Sequence, residues 1–138
     1  EMRRQIGIKL RAHDGCNLVY VMWRIEPEGK LVVSTKNNPG EDKTAECGAS
    51  GYETLNPAFS VPLPKVVVGE QHELHAAIVN GFLIVRVDGK NVWIGKLDAE
   101  ALALSGPIGL RTDNGKFRIA LAEKHETMVP VETNTEPP

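Results

Sequence analysis

The chain has 138 residues, of which 25% are charged and 41% are hydrophobic, and its formal net charge is −2. This length and balance indicate one folded domain rather than a disordered chain, and the lack of a basic excess argues against nucleic acid as a partner. No apolar run reaches the roughly 18 residues of a membrane-spanning helix, and the start "EMRRQIGIKL" has no apolar signal-peptide core, so we expect a soluble protein of undetermined compartment.

The first part of the chain alternates between apolar and polar residues, which is the period of β-strands. In "QIGIKLRAH" every second residue from Ile6 to Leu10 is apolar, and in "NLVYVMWRI" Val19, Val21 and Trp23 fall on one face. The tetrapeptide "EPEG" is typical of a turn, and "KLVVSTK" follows it. Three consecutive antiparallel strands are therefore predicted.

The alternation stops between residues 37 and 64, a segment that holds four of the nine prolines. Long segments without regular structure are uncommon inside compact domains and are often functional. We expect an irregular excursion here, and we expect it to be a place for a ligand or a partner.

Strand periodicity returns in "HELHAAIVNGFLIVRVDGKNVWIGKL". Asn-Gly and Asp-Gly pairs favour two-residue hairpin turns, because both central residues of a type I′ turn need positive φ. The pairs at 80–81 and 88–89 therefore predict a three-stranded meander near residues 72–79, 82–87 and 91–96.

The remaining pattern predicts one short helix and two final strands. "DAEALAL" is typical of about two helical turns with Asp98 as N-cap, and Gly106 lies beyond its end. "PIGLRT" and "KFRIALAE" flank a turn at 113–115, with Phe117 and Ile119 expected in the core. A proline- and threonine-rich tail over residues 126–138 follows a single predicted domain, residues 1–125.

About seven short strands with regular turns indicate an antiparallel sandwich or barrel. The order "GIKLRAHDGCNLVYVMWRI", "HELHAAIVNGFLIVRVDGK", "GPIGLRTDNGKFRIAL" resembles the concanavalin-A-like lectin/glucanase superfamily, and most of all its laminin-G-like and 3-keto-disaccharide-hydrolase-like branches. The resemblance implies an all-β fold, an antiparallel jelly-roll β-sandwich, here with one short helix.

Members of that superfamily bind glycans, cleave them, or mediate protein contacts, so the fold alone does not fix the function. The Glu-x-Asp-x-x-Glu strand of laminarinase-type members is missing. The strands offer few carboxylates, Glu73 and Asp88, and no nucleophile elbow is present. An enzyme is therefore the third choice among the functions.

No cofactor is required by any motif, and calcium is the one metal for which loop oxygens are available. His72 and His75 of "HELH" would point to opposite sides of a strand, which argues against zinc. "HDGCN" and "TDNG" supply the calcium candidates Asp14, Asp113 and Asn114, although the same residues are favoured in tight turns.

Two cysteines, Cys16 and Cys47, do not form the framework of a small disulfide-rich domain. One bridge and two free thiols both remain open at this point.

A polar sheet face is the best candidate for a ligand site. If the apolar positions point inwards, arginines, a tyrosine and a histidine gather on the opposite face; guanidinium groups suit sugar hydroxyls and carboxylates. The predicted contacts are Arg11, Tyr20, Arg24, His75 and Arg86, with Asn37 and Asn38 at the lip.

We therefore expect a non-catalytic, lectin-like carbohydrate-binding module. The alternative is a module for binding a protein partner or a second copy of itself through residues 37–64.

Overall fold

The computed structural model describes residues 2–48 and 51–123, which form two antiparallel sheets and two short helices. The all-β prediction is confirmed. The elements in chain order are β1 (Arg4–Asp14), β2 (Asn17–Glu26), β3 (Lys30–Asn37), α1 (Thr44–Cys47), β4 (Tyr52–Thr54), β5 (Phe59–Ser60), β6 (Leu74–Val79), β7 (Phe82–Val87), β8 (Lys90–Lys96), α2 (Ala99–Ala103) and β9 (Gly109–Asp113).

The larger sheet has the strand order β4-β3-β2-β1-β9. The predicted alternation in β2 is confirmed: Val19, Val21 and Trp23 are buried in the main core, whereas Tyr20 and Met22 point to the opposite face. Because side chains alternate along a strand, this sheet has one face in the core and a second face with its own chemistry.

The smaller sheet has the strand order β5-β8-β7-β6 and contains the predicted meander. Asn80 and Gly81 have φ of 50° and 82°, and Asp88 and Gly89 have φ of 52° and 82°. Both hairpin turns therefore have the positive φ values that their sequences predict.

Side chains from both sheets form the main hydrophobic core. It includes Val21 and Trp23 from the larger sheet and Val85 and Trp93 from the smaller one. The expected inward direction of Phe117 and Ile119 is wrong, since neither residue belongs to this cluster and Ile119 is exposed.

The structure contains two short helices in the described residues, not the one that was predicted. The predicted helix is α2, where Asp98 Oδ1 accepts a hydrogen bond from the Ala101 amide at 2.8 Å. The unpredicted helix is α1, which has only four residues and begins after Lys43. Neither helix is long and apolar enough to cross a bilayer.

The prediction of an irregular excursion over residues 37–64 is wrong in part. Besides α1, the segment forms β4, which is an edge of the larger sheet, and β5, which is an edge of the smaller sheet. These strands have three and two residues, which is too short for a period-two pattern to be visible in the sequence.

The expected last strand, "KFRIALAE", does not form in the described part of the chain, which carries no strand after β9. The turn at 113–115, which was expected to join this strand to β9, is instead hydrogen-bonded to the N-terminal residues. Asn114 Nδ2 donates to the Arg3 carbonyl at 2.7 Å, and the Asn114 carbonyl accepts from Arg4 Nε at 2.7 Å. These contacts attach the turn to the beginning of β1. The predicted tail at 126–138 lies outside the described residues.

Candidate ligand-binding site on the five-stranded sheet

The face of the larger sheet that points away from the core bears a cavity of about 560 Å³, which we call the sheet basin. Its lining is a mixture of cations, aromatic rings, hydroxyl groups and amides, namely Arg3, Gln5, Tyr20, Met22, Arg24, Val32, Ser34, Lys36, Thr44, Gly48, Tyr52, Thr54 and Arg111. This volume falls in the range of small-molecule sites.

Strand register explains why these side chains come together. Tyr20 of β2 is paired with Ser34 of β3, which in turn is paired with Thr54 of β4. Two pairs further along, and therefore on the same face, Lys36 of β3 is opposite Tyr52 of β4. Residues directly opposite each other across neighbouring strands share a face, so the polar groups form rows across the sheet.

Arg111 extends over the basin from the far edge of the sheet. It is paired with Gly7 of β1, which has no side chain to obstruct it. Its guanidinium carbon lies 5.1 Å from the centroid of the Tyr20 ring, and its Nη1 donates to the Tyr52 hydroxyl at 2.9 Å. A single side chain therefore joins strands β9, β2 and β4.

The pKa values of the two tyrosines of the basin are shifted in opposite directions. Burial, followed by the hydrogen bond and charge of Tyr52, raises the pKa of Tyr20 to about 12. Burial also opposes ionisation of Tyr52, but hydrogen bonds from Arg111 and Tyr20 and the charges of Arg111 and Lys36 lower the pKa of Tyr52 below its usual value. Their rings are 5.5 Å apart between centroids.

Lys36 is the most deeply buried cation of the basin, with 1% of its surface exposed. Its Nζ donates to the Gly15 carbonyl at 3.2 Å and lies 4.5 Å from the centroid of the Tyr52 ring. None of the ion pairs among residues 2–48 and 51–123 includes Lys36.

Arg24 lies at the other end of the basin near Arg3. Desolvation, and then repulsion from Arg3, lowers the pKa of Arg24, whereas Glu28 acts in the opposite direction. Its Nε is buried and has no hydrogen-bond partner among the described residues. A buried donor without an acceptor is costly, and a ligand oxygen would remove that cost.

One carboxylate lies beside the basin. Asp113 Oδ2 accepts from Gln5 Nε2 at 2.6 Å and from Arg111 Nε at 3.2 Å. Asp113 thereby orients Gln5 and Arg111 and offsets part of the charge of Arg111.

A disulfide bond between Cys16 and Cys47 resolves the question that the sequence left open. It attaches α1 to the hairpin between β1 and β2. Thr44 at the start of α1 and Gly48 just beyond its end both line the basin, so the bridge holds this side of the cavity in place.

The structure separates the sequence-predicted contacts into groups. Tyr20 and Arg24 line the basin. Arg11, by contrast, donates through Nη1 to the carbonyls of Leu102 and Leu104, so it fastens α2 to β1.

Asn37 and Asn38 lie at the end of β3 and do not line the basin; they line a smaller cavity of about 240 Å³. The Asn38 side chain is engaged within the protein, since its Nδ2 donates to the Cys16 carbonyl at 2.9 Å and to the Gly51 carbonyl at 3.3 Å. Asn37 is exposed.

His75 and Arg86 are cross-strand neighbours on the smaller sheet and are exposed. Their strand neighbours Leu74, Ala76, Val85 and Val87 pack in the core, so His75 and Arg86 point to the outside of the other sheet. The prediction that all these residues share one face is therefore wrong, because it merged the outer faces of two different sheets.

The calcium candidates are occupied by interactions within the protein. Asp14 Oδ1 accepts from the Cys16 amide at 2.8 Å and from Asn17 Nδ2 at 2.9 Å. Asp113 and Asn114 make the contacts given above. No group of three or more metal-ligating His, Cys, Asp or Glu side chains is found among the described residues.

Sequence reasoning missed Lys36, Tyr52 and Arg111. Lys36 and Arg111 both sit at outward positions of alternating strands, so correct register would have found them. Tyr52 lies in the segment predicted to be irregular, and no local signal marks it.

Comparison of the chain with protein-family models, with curated proteins and with solved structures finds no match. The candidate site therefore depends on its own geometry.

Proposed function

We propose that this chain is a non-catalytic carbohydrate-binding module whose ligand lies in the sheet basin. The observation that carries the proposal is the set of two tyrosine rings with guanidinium and hydroxyl donors around one open cavity of about 560 Å³. Sugars offer apolar C–H faces to aromatic rings and hydroxyl groups to fixed polar donors, and the basin provides partners for both.

Of the site residues predicted from the sequence, this proposal keeps Tyr20 and Arg24. It adds three further lining residues of the basin, Lys36, Tyr52 and Arg111. The same proposal includes kinship with concanavalin-A-like jelly-roll domains. Two antiparallel sheets around a common core support that kinship, and so does an outer sheet face that bears a cavity.

The disulfide supports location in an oxidising compartment, because such bridges seldom persist in the cytosol. We expect the protein to work outside the cytosol, where glycans are exposed.

A glycan array with the full chain tests the proposal, using one matched pair of variants. Tyr52→Ala removes a basin ring that is 36% exposed, and Phe82→Ala removes a ring of the other sheet that is 40% exposed. We expect wild type and Phe82→Ala to bind the same glycans, and Tyr52→Ala to lose them. Retention by Tyr52→Ala would contradict the site.

The same array with EDTA tests the calcium alternative. Because Asp14 and Asp113 are engaged by hydrogen bonds within the protein, we expect binding to persist without calcium. Loss of binding in EDTA, restored by calcium, would move the site to the loops at 13–17 and 112–115.

A second candidate function, a protein-interaction or self-association module, is favoured by the outer face of the smaller sheet. Phe59, Ile94, Ile84 and Ala77 lie in one row across its four strands. Phe59 is 44% exposed, and exposed apolar patches on sheets are typical of contact surfaces.

Light scattering of the wild-type chain tests this alternative. A contact through this face predicts an oligomer that Phe59→Glu dissociates, whereas Val68→Glu, at a fully exposed position, leaves it intact. A monomer at all concentrations would rule out self-association through the face.

A further inference from the structure

The buried ammonium group of Lys36 is the starting point. Its Nζ has one oxygen acceptor among the described residues, the Gly15 carbonyl, and it also contacts Cys47 Sγ at 3.8 Å and the π-face of Tyr52. An ammonium group has three donors, and burial without a counter-charge is costly unless a partner compensates. The structure thus keeps a cation in a place where an anion would be favourable.

The other charged side chains that line the basin are also positive. Arg3, Arg24 and Arg111 line it together with Lys36, and no Asp or Glu is among its described lining residues. Asp113, beside Arg111, and Glu28, near Arg24, compensate only part of this charge. A protein with a formal net charge of −2 therefore concentrates four cations around one cavity.

Tyr52 brings two of these cations together. Lys36 Nζ lies over its ring, and Arg111 Nη1 donates to its hydroxyl. Arg111 is additionally fixed by Asp113, so its guanidinium is held in one orientation before any ligand arrives. Preorganised donors of this kind favour a compact oxyanion.

We propose that the sheet basin binds an acidic sugar, and that Arg111 contacts its sulfate or carboxylate group while the buried charge of Lys36 attracts it. The sugar part of this inference rests on the proposed function, and the anion subsite rests on the buried lysine and the uniform sign of the lining. The hydroxyl groups of Ser34 and Thr54 lie in the adjoining row and are available for the ring hydroxyls.

Inorganic sulfate tests the anion subsite without any sugar. Amide chemical shifts of the full chain are followed during titration with sodium sulfate, with sodium chloride at equal ionic strength as the reference. We expect saturable shifts at β3, β4 and β9, with affinity weakened by about tenfold in Lys36→Met, as loss of one nearby buried charge implies. Lys96→Met, an exposed lysine of the smaller sheet, keeps wild-type affinity.

Arg111→Gln provides a second variant if Lys36→Met does not fold, and it is expected to weaken sulfate binding in the same way. Absence of saturable shifts in the wild type would overturn the subsite. Equal binding by a folded Lys36→Met variant would overturn it as well.

Matched glycans that differ only in a neutral, sulfated or carboxylated position then test the sugar. Preference for the acidic forms, removed by Lys36→Met, supports the inference, and the ranking of sulfate against carboxylate identifies the group. Equal binding of neutral and acidic forms would keep the proposed function and overturn this inference. Sulfate binding without any glycan binding would overturn the acidic-sugar inference and the carbohydrate function, leaving only the anion subsite.

Discussion

Arg111 and Tyr52 come from the two opposite edges of the five-stranded sheet, and they meet above its centre in a hydrogen bond of 2.9 Å between Arg111 Nη1 and the Tyr52 hydroxyl. They are 59 residues apart in the chain. The hydrogen bond connects a side chain of β9 with a side chain of β4, so both edge strands contribute to one cavity.

This contact predicts a pH dependence of anion binding. Because the pKa of Tyr52 is lowered, its phenolate forms below the usual pH of tyrosine ionisation, and a negative charge there repels an anionic ligand. We expect sulfate affinity to fall as the pH rises towards 10, and Tyr52→Phe to remove this alkaline loss. An unchanged pH profile in Tyr52→Phe would contradict the role assigned to the phenol.

The close packing around Gly7, in the strand below the basin, leaves no room for a side chain. A Cβ at this position would lie 2.1 Å from the Val21 carbonyl oxygen and 2.6 Å from Met22 Sδ. We expect Gly7→Ala to lower the free energy of unfolding by about 1–3 kcal/mol, as overpacking does, measured by urea denaturation. Gly109→Ala is the control, since its Cβ would meet only Lys9 carbons at 3.6 Å and beyond. Equal stability of the two variants would contradict the close approach.

The Cys16–Cys47 bridge predicts a large loss of stability on removal. It closes a loop with a sequence separation of 31 residues, and the chain-entropy model assigns such a loop about 3–4 kcal/mol. We expect Cys16→Ala/Cys47→Ala to lower the free energy of unfolding by that amount, and dithiothreitol to reproduce the loss in wild type only. An effect of dithiothreitol on the double variant would show that it acts elsewhere.

His72 predicts a pH-dependent contribution to stability on the side of the smaller sheet. Its Nδ1 lies 2.7 Å from Asp88 Oδ2 and its Nε2 lies 3.1 Å from Glu70 Oε1. The hydrogen bond with Asp88, followed by that with Glu70, raises the pKa of His72 above 6.5. The hydrogen bond from the Glu73 amide, followed by that with His72, lowers the pKa of Asp88 below 3.8.

These two pKa shifts determine how the stability of the protein changes with pH. The contribution of His72 to the free energy of unfolding is complete below pH 6.5 and is lost as the pH rises through its raised pKa. The contribution of Asp88 is complete above pH 3.8 and is lost as the pH falls through its lowered pKa. We expect His72→Gln to destabilise the protein by about 0.5 kcal/mol at pH 5.5 and less at pH 8.5, because both carboxylates are partly solvated. A larger effect at pH 8.5 would contradict this sign.

Strong local signals predicted much of the fold. Asn80-Gly81 and Asp88-Gly89 defined the meander because positive φ is needed only in particular turns, and Asp98 marked a helix start through its capping geometry. Elements without a local signal were missed. β4 and β5 exist because longer strands offer them an edge, which is a property of the tertiary structure.

The site was predicted less well for a related reason. Alternation assigns a residue to the outer or the inner side of its own sheet, but it does not say which of two sheets that is. Arg24 and Arg86 have the same pattern in the sequence, yet Arg24 lines the basin and Arg86 lies on the smaller sheet. Arg111 reaches Tyr52 across the sheet, which no local pattern encodes.

Arg24→Ala and Arg86→Ala, compared side by side, test most directly whether the ligand lies in the sheet basin. Both variants remove one arginine from an outward-facing strand position, and the measurement is the affinity for the best acidic glycan of the array together with the melting temperature. We predict that Arg24→Ala loses most of the affinity at a nearly unchanged melting temperature, while Arg86→Ala binds as wild type does. Unchanged binding by Arg24→Ala with loss in Arg86→Ala would contradict the basin and place the ligand on the smaller sheet.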